Sequence, residues 1–292
     1  MISKNFTGVQ GAVLQKSPWP PEAQTKEVFM DLKIRNKIAV VAAASKGLGK
    51  AVAEALAAEG VNLAICSRDK TRIDETAQFL KTTHHVDVLP VVCDVTDPTG
   101  ITSLKEKVIE HFGACHILFT NAGGPPPGKV EAFTGEDYKK ALDLNLISAI
   151  NLVNAFLPLM KQQQWGRILA STSVTVKQPI PTLALSNVSR VGVTAYIKSL
   201  AFEVAVLNVT ANVLAPGYIM TERVKQLLED RSKKEGISYE KALEAVLEGI
   251  PAKKIGAPAD FGALCAFLAS EYASYITGEI ILMDGGMYKG LM

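Results

Sequence analysis

From Ile38 onward the chain alternates short apolar runs with amphipathic stretches of ten to fifteen residues, and this rhythm constrains the fold more than any other feature. Ile38-Ala39-Val40-Val41-Ala42 has no polar side and reads as a strand buried on both faces. Lys50 to Glu59 is Ala-rich at helical spacing and stops at Gly60. Val61 to Cys66 reads as a second strand, Lys70 to Lys81 as a helix and Asp87 to Cys93 as a third strand. Thr99 to Phe112 reads as a further helix and His116 to Thr120 as a fourth strand. Alternation of this kind predicts βαβ units and a parallel, doubly wound α/β sheet with helices on both faces. Nothing interrupts it as far as Asp284-Gly285-Gly286, so residues 30–292 are expected to form one domain.

Residues 1–29 stand apart as an N-terminal extension. They show no clear period and contain Ser17-Pro18-Trp19-Pro20-Pro21, which cannot be helix. The segment lacks the apolar core of a secretory signal and the arginines of a transit peptide. It reads as an arm that packs on the body or a partner, as a loose extension, or as the product of an upstream start codon with Met30 as the true start.

Charge and cysteine usage exclude some function classes. The 292 residues hold 31 Lys+Arg against 29 Asp+Glu, a net charge of +2 that argues against a nucleic-acid partner. No continuous apolar run reaches the ~18 residues that a bilayer requires, so no membrane partner is expected. Cys66, Cys93, Cys115 and Cys265 form no Cys-x-x-Cys pair. They read as small buried thiols in a reducing, cytoplasmic setting, with no metal site.

Ala43-Ala44-Ser45-Lys46-Gly47-Leu48-Gly49 lies between the first strand and the first helix. Glycines there let backbone approach a pyrophosphate and present N–H groups at a helix N-terminus. After the second strand, where NAD-selective sites carry an acidic residue for the ribose 2′-OH, stands Ser67-Arg68. A guanidinium clamps a 2′-phosphate bidentately, and Lys46 adds charge on the loop. Together they favour NADP over NAD.

With these residues the chain resembles the short-chain dehydrogenase/reductase family, and within it a divergent group similar to β-ketoacyl-acyl-carrier-protein reductases. Ala42 to Gly49 resembles the family's Thr-Gly-x-x-x-Gly-x-Gly loop, here with Ala42 and Ala43 in place of Thr and Gly. The resemblance assigns the cofactor to Ser45, Lys46, Gly47, Leu48, Gly49 and Arg68, with Asp94 and Val95 at the adenine. Asn121, Ala122 and Gly123 follow the fourth strand, and Pro216, Gly217 and Thr221 stand beside the nicotinamide. It implies a Rossmann-type sheet, a twofold homodimer or homotetramer, and a small-molecule or acyl-chain substrate.

For the chemistry, the resemblance points to Asn145 and Ser173, but the family's Tyr-x-x-x-Lys is missing. Ser186 stands in the tyrosine position and Arg190 in that of the lysine. A phenol titrates near ~10 and becomes a workable acid beside a cation, whereas an aliphatic hydroxyl is shorter and far weaker. Arg190 keeps the charge and can still bond the ribose hydroxyls, but does not release its proton. Tyr218, after Pro216-Gly217, is the local substitute acid. Gly123-Gly124-Pro125-Pro126-Pro127-Gly128 predicts a stiff wall beside the reacting end, and the divergent group carries such a loop. Thr221 to Gly249 reads as a charged helical pair, a lid in the family. Two functions stay open: an NADP-dependent oxidoreductase with an atypical tetrad acting on a carbonyl or alcohol, and a catalytically inactive dinucleotide-binding sensor or structural subunit.

Overall fold

The computed structural model describes residues 30–291, so the expectations about residues 1–29 lie outside the described residues. Seven parallel strands form one sheet: β1 Ile38–Ala42, β2 Asn62–Ser67, β3 Val88–Val92, β4 Ile117–Thr120, β5 Gly166–Ser171, β6 Val209–Pro216 and β7 Ile280–Met283. Their order is β3-β2-β1-β4-β5-β6-β7. The sequence reverses its direction of travel across the sheet between β1 and β4, which creates a crevice at their C-terminal ends.

Helices cover both faces because the strands are apolar on both. On one side α1 (Gly47–Ala58), α2 (Lys70–His84) and α9 (Pro258–Leu268) bury Val52, Leu56, Ile73, Leu80 and Phe261 against Ala39, Val41 and Phe119. Phe119 and Phe261 meet edge to face at 6.2 Å between ring centres. On the other side α3 (Pro98–Phe112), α5 (Ser148–Gln162) and α6 (Ala184–Val204) bury Leu104, Leu152, Phe156 and Ile197 against Val40, Leu118 and Ile168. Each such side chain contributes roughly 1.5–3 kcal/mol. A smaller cluster of Val224, Leu228, Ala242, Val246 and Ile250 lies under α7 (Glu222–Glu235) and α8 (Tyr239–Glu248).

Caps set the helix boundaries. Asp69 accepts a hydrogen bond from Arg72 N and Asp97 from Thr99 N, so α2 and α3 begin just after them. His85 closes α2 in the left-handed region. The helix expected from Lys50 starts at Gly47 instead. The helical region around Tyr138 to Met160 is interrupted: α4 (Gly135–Leu142) opens on a Thr134–Asp137 capping box, and a π-helical turn over Asp143–Ile147 separates it from α5.

The whole stretch Gly135–Gln162 is long and apolar enough to cross a membrane on length and composition alone, which corrects the expectation that no such stretch exists. The expectation had counted only continuous apolar runs. Ala149, Leu152, Val153, Phe156 and Met160 of this stretch pack into the core beside the sheet.

His116 precedes β4 as a strand-edge residue. Its Nδ1 accepts the Ile38 N–H at 3.1 Å, and burial together with Lys37 pushes its pKa down to about 4. It is a neutral structural acceptor at physiological pH.

α1 and α9 approach so closely that a Cβ at Gly262 would collide with the Ala51 carbonyl oxygen. Neither backbone can yield without unseating a core helix. Gly262→Ala is expected to lower stability by about 1–3 kcal/mol, the scale of overpacking, with no loss of helix content. Urea unfolding followed by circular dichroism checks this; an unchanged midpoint contradicts it.

Candidate active site

Two adjoining cavities occupy the crevice, and Ala43, Lys46, Ala122 and Gly123 line both. One, of ≈ 530 Å³, is walled by Ser45, Arg68, Arg72, Cys93, Asp94 and Val95. The other, of ≈ 280 Å³, is walled by Gly47, Leu48, Asn121, Ser173, Ser186, Arg190, Pro216, Gly217 and Thr221. The fold thus brings together nearly all of the residues singled out in the sequence. Gly49 lies beneath the loop, where a Cβ would strike the Ala43 carbonyl oxygen.

Helix α1 starts at the centre of this crevice. No side chain caps it, so its first-turn N–H groups face outward with the positive end of the helix dipole. The loop before it is pinned by Ala44 N donating to Cys66 O at 3.0 Å. Ala43 holds φ +52°, the left-handed region that glycine adopts freely and an L-residue does not. Space beside Gly123 is open, since a Cβ there would meet nothing within 4 Å.

Cations collect at the first cavity. Arg68 is 75% exposed and lies 3.9 Å from Asp94, a loose pair. Asp94 also accepts from Thr96 N and Oγ1 at 3.0 and 2.8 Å. Lys46 Nζ meets Glu222 at 2.8 Å, and Arg72 Nη1 reaches the same carboxylate at 3.4 Å. These two cations hold the Glu222 carboxyl below the usual carboxylate range. Sequence reasoning missed Arg72. Its signal was position: it sits in the first turn of α2, one turn on from the Asp69 cap, on the helix end that faces the loop.

The second cavity is organised by α6. Arg190 is 8% exposed. Its Nε donates to Ser186 Oγ at 3.2 Å, and its Nη1 donates to Ser171 O and Thr172 O at 3.3 and 3.1 Å. Burial, with the Arg223 charge adding to it, lowers the Arg190 pKa to about 10, so it remains a cation at neutral pH. Ser173 Oγ accepts Thr175 N–H at 3.2 Å. Both serine hydroxyls therefore have an accepting lone pair engaged and keep the O–H to donate.

Asn145 is placed differently from a cleft-lining group. It lies in the π-helical turn, 5% exposed, donates from Nδ2 to Gly123 O at 3.2 Å and accepts from Ser189 Oγ at 2.9 Å. It ties the loop after β4 to α6. Ser189 was missed in the sequence because nothing marks it apart from its place one residue before Arg190. Tyr218 lines a third cavity of ≈ 690 Å³ that shares Ser173, Leu183, Gly217 and Val224 with the second. Burial raises its phenol pKa, which weakens it as a proton donor. Of the three prolines of the loop, Pro125 is the one on the second cavity, beside Gly123 and Gly124, and Arg223 Nη2 donates to its carbonyl at 3.1 Å.

A seven-stranded doubly wound sheet with a cleft at its switch point defines a nucleotide-binding α/β protein of the Rossmann type. Residues 42–288 match the family model described as enoyl-(acyl carrier protein) reductase. The chain belongs to this family, a branch of the short-chain dehydrogenases/reductases. It is 32% identical over 256 residues to the NADPH-dependent reductase BacG of Bacillus subtilis (strain 168), covering 87% of this chain and 99% of that one. It is 32% identical over 257 residues to the 3-oxoacyl-[acyl-carrier-protein] reductase FabG of Escherichia coli (strain K12), covering 88% and 99%. The L-sorbose reductase of Gluconobacter frateurii, solved with NADPH and L-sorbose, superposes with a TM-score of 0.86 at 32% identity, over 90% of this chain and all of that one.

Ala43 carries a methyl group in a backbone region that costs an L-residue about 1–2 kcal/mol, part of which glycine loses again to unfolded-chain entropy. Ala43→Gly is expected to raise stability by up to about 1 kcal/mol and to leave the fold unchanged. A fall in thermal midpoint, measured by differential scanning calorimetry, contradicts this reading of the loop.

Proposed function

We propose that the chain is an NADP(H)-dependent oxidoreductase that acts on a carbonyl or alcohol in the manner of 3-oxoacyl reductases, through an atypical centre of Ser173, Ser186 and Arg190. The observation that carries this is one continuous crevice with cations at one end and a guanidinium-bound serine at the other. The crevice fits the dinucleotide: uncapped N–H groups of α1 suit a pyrophosphate, and the open space at Gly123 admits a flat group close to the backbone. Arg68, with Lys46 and Arg72 beside it, suits a 2′-phosphate, and the Bacillus relative is NADPH-dependent.

When bound, the nicotinamide supplies or takes up a hydride at the substrate carbon. The chain's own residues then manage the oxygen. Ser173 and Ser186 donate their O–H groups to it, and the Arg190 charge lies 3.2 Å behind Ser186 Oγ. Oriented donors and a fixed cation in a water-poor site stabilise negative charge as it develops on oxygen. They do not replace a phenol as proton donor, so turnover is expected to fall short of the tyrosine enzymes by about 10²–10⁴-fold. Pro125 and Leu183 close the cleft beside Ser186.

Consumption of NADPH with an acetoacetyl thioester, followed by absorbance, tests the reading. We expect slow turnover with NADPH, and Ser186→Ala is expected to reduce kcat by about 10²-fold, the scale of one lost oxyanion donor. Arg68→Ala should weaken NADPH binding by about 1.5–3 kcal/mol and leave NADH nearly unchanged. Tight NADPH binding with no turnover of any carbonyl would favour the inactive sensor or structural subunit instead.

We also propose a cytoplasmic homodimer or homotetramer. Support comes from the four cysteines, which are free and buried, and from Val188, Val191, Phe202 and Val206, apolar residues exposed along α6 and the turn after it. Light scattering at micromolar concentration should show no monomer.

A further inference from the structure

Two guanidinium groups face the reacting end of the crevice without a carboxylate to balance them. Arg190 and Arg223 both line the second cavity, and neither has an acidic partner within ion-pair distance among the described residues. Among the described residues the only acid on that cavity is Glu222, already engaged by Lys46 and Arg72 toward the other end. The acids of the adjoining ≈ 690 Å³ cavity are Glu131, Asp230 and Glu235. Of these, Glu235 pairs with Arg231 at 3.0 Å and Asp230 accepts from Gln226 at 2.9 Å, and Lys129 and Lys234 on the same rim offset Glu131 and Asp230 in charge, so that rim carries no net excess of acid.

The donors of the two arginines are only partly used. Arg190 spends Nε on Ser186 and Nη1 on two backbone carbonyls; its Nη2 has no hydrogen-bond partner among the described residues. Arg223 uses Nη2 on Pro125 O, and its Nε lies 3.5 Å from where a Gly124 Cβ would stand. Arg190 is more than nine-tenths buried, and burial with the neighbouring Arg223 charge already disfavours its cationic form. A buried cation held this way is strongly uncompensated until an anion arrives.

We propose, on the basis of the oxidoreductase reading above, that Arg190 Nη2 and Arg223 bind a carboxylate of the substrate, so that the protein selects short oxo acids over neutral carbonyl compounds. The spacing limits the substrate. A carbonyl oxygen bonded to the Ser186 hydroxyl lies beside the guanidinium whose Nε is 3.2 Å from that oxygen. A carboxylate on the same guanidinium is then only one or two carbons away from the carbonyl. Guanidinium groups recognise carboxylates in a fork geometry that an ester or amide cannot satisfy.

The full chain loaded with NADP⁺, which cannot reduce a ketone, is titrated by calorimetry with acetoacetate and with ethyl acetoacetate, the same skeleton without the charge. We expect acetoacetate to bind tighter by about tenfold or more, with the advantage shrinking as salt rises. Arg223→Gln should bring the two ligands near parity without changing NADP⁺ affinity, and Arg223→Lys should keep part of the preference. Equal affinities in the unaltered protein overturn the proposal. So does an Arg223→Gln variant that keeps the full preference, or one that weakens NADP⁺ by the same factor, which would assign the arginines to the cofactor. Failure of the unaltered protein to bind NADP⁺ would instead sink the oxidoreductase reading on which this proposal stands.

Discussion

Strand β1 pairs in parallel with β2 on one side and β4 on the other, and every functional feature of the molecule depends on that double pairing. The chain leaves β1 over one face through α1 and leaves β4 toward the other, so the two connections cannot fill the space between them. Backbone amides and loop side chains are left facing a crevice there, at the one level of the sheet where three strand ends meet. Val40 and Val41 are fully buried and point to opposite core clusters, which fixes the register. A slip of one residue would exchange the two faces and move Ala43 and the following loop away from Asn121.

Helix α6 is the second organiser because it presents three side chains, at positions i, i+3 and i+4 of one face, to three different partners. Ser186 meets the cleft, Ser189 bonds to Asn145, and Arg190 holds the carbonyls at the end of β5. The π-helical turn over Asp143–Ile147 brings Asn145 within reach of Gly123. Such turns insert an extra residue into the helical ladder and re-aim side chains. The result is a closed circuit from the β4 loop through Asn145 and Ser189 to α6. It positions the reacting end without spending either cleft serine.

Much of this was legible in the chain. Ile38–Ala42 was bounded correctly because a strand buried on both faces shows an unbroken apolar run with polar flanks. Arg68 and Lys46 could be placed on the first cavity because both lie within a residue or two of a strand or helix end. The helix boundaries were less legible: Gly47 and Leu48 do not look helical, yet packing of α1 on α9 draws them in. The break between α4 and α5 left no periodic trace, since a π turn shifts the apolar face by only one residue. Arg72 and Arg223 were invisible as site residues because each is an ordinary charged residue in a helix's first turn. Only the fold reveals that both turns open on the same crevice. Asn145, read as the structural asparagine of the active site, has its two amide atoms engaged by Gly123 and Ser189.

Arginine at position 190, where the family resemblance leads one to expect lysine, does not behave as a lysine would. A lysine ammonium is a compact point charge with rotatable donors, whereas a guanidinium is a rigid plane with donors on several edges. One edge here clamps Ser171 and Thr172 carbonyls, and a second holds Ser186, which leaves a third directed elsewhere. Burial, with the Arg223 charge adding to it, pulls the Arg190 pKa down to about 10, so the site disfavours the cation relative to an exposed guanidinium. Three neutral acceptors reduce that cost but cannot remove it, because none carries a full negative charge. With a tyrosine at 186 a phenolate could share the burden during turnover; a serine hydroxyl cannot. The positive charge at this end of the cleft is therefore permanent through the reaction, and its effect falls on whatever bears negative charge next to Ser186. This makes the centre a device for holding an anion in place first, and for moving a proton only second.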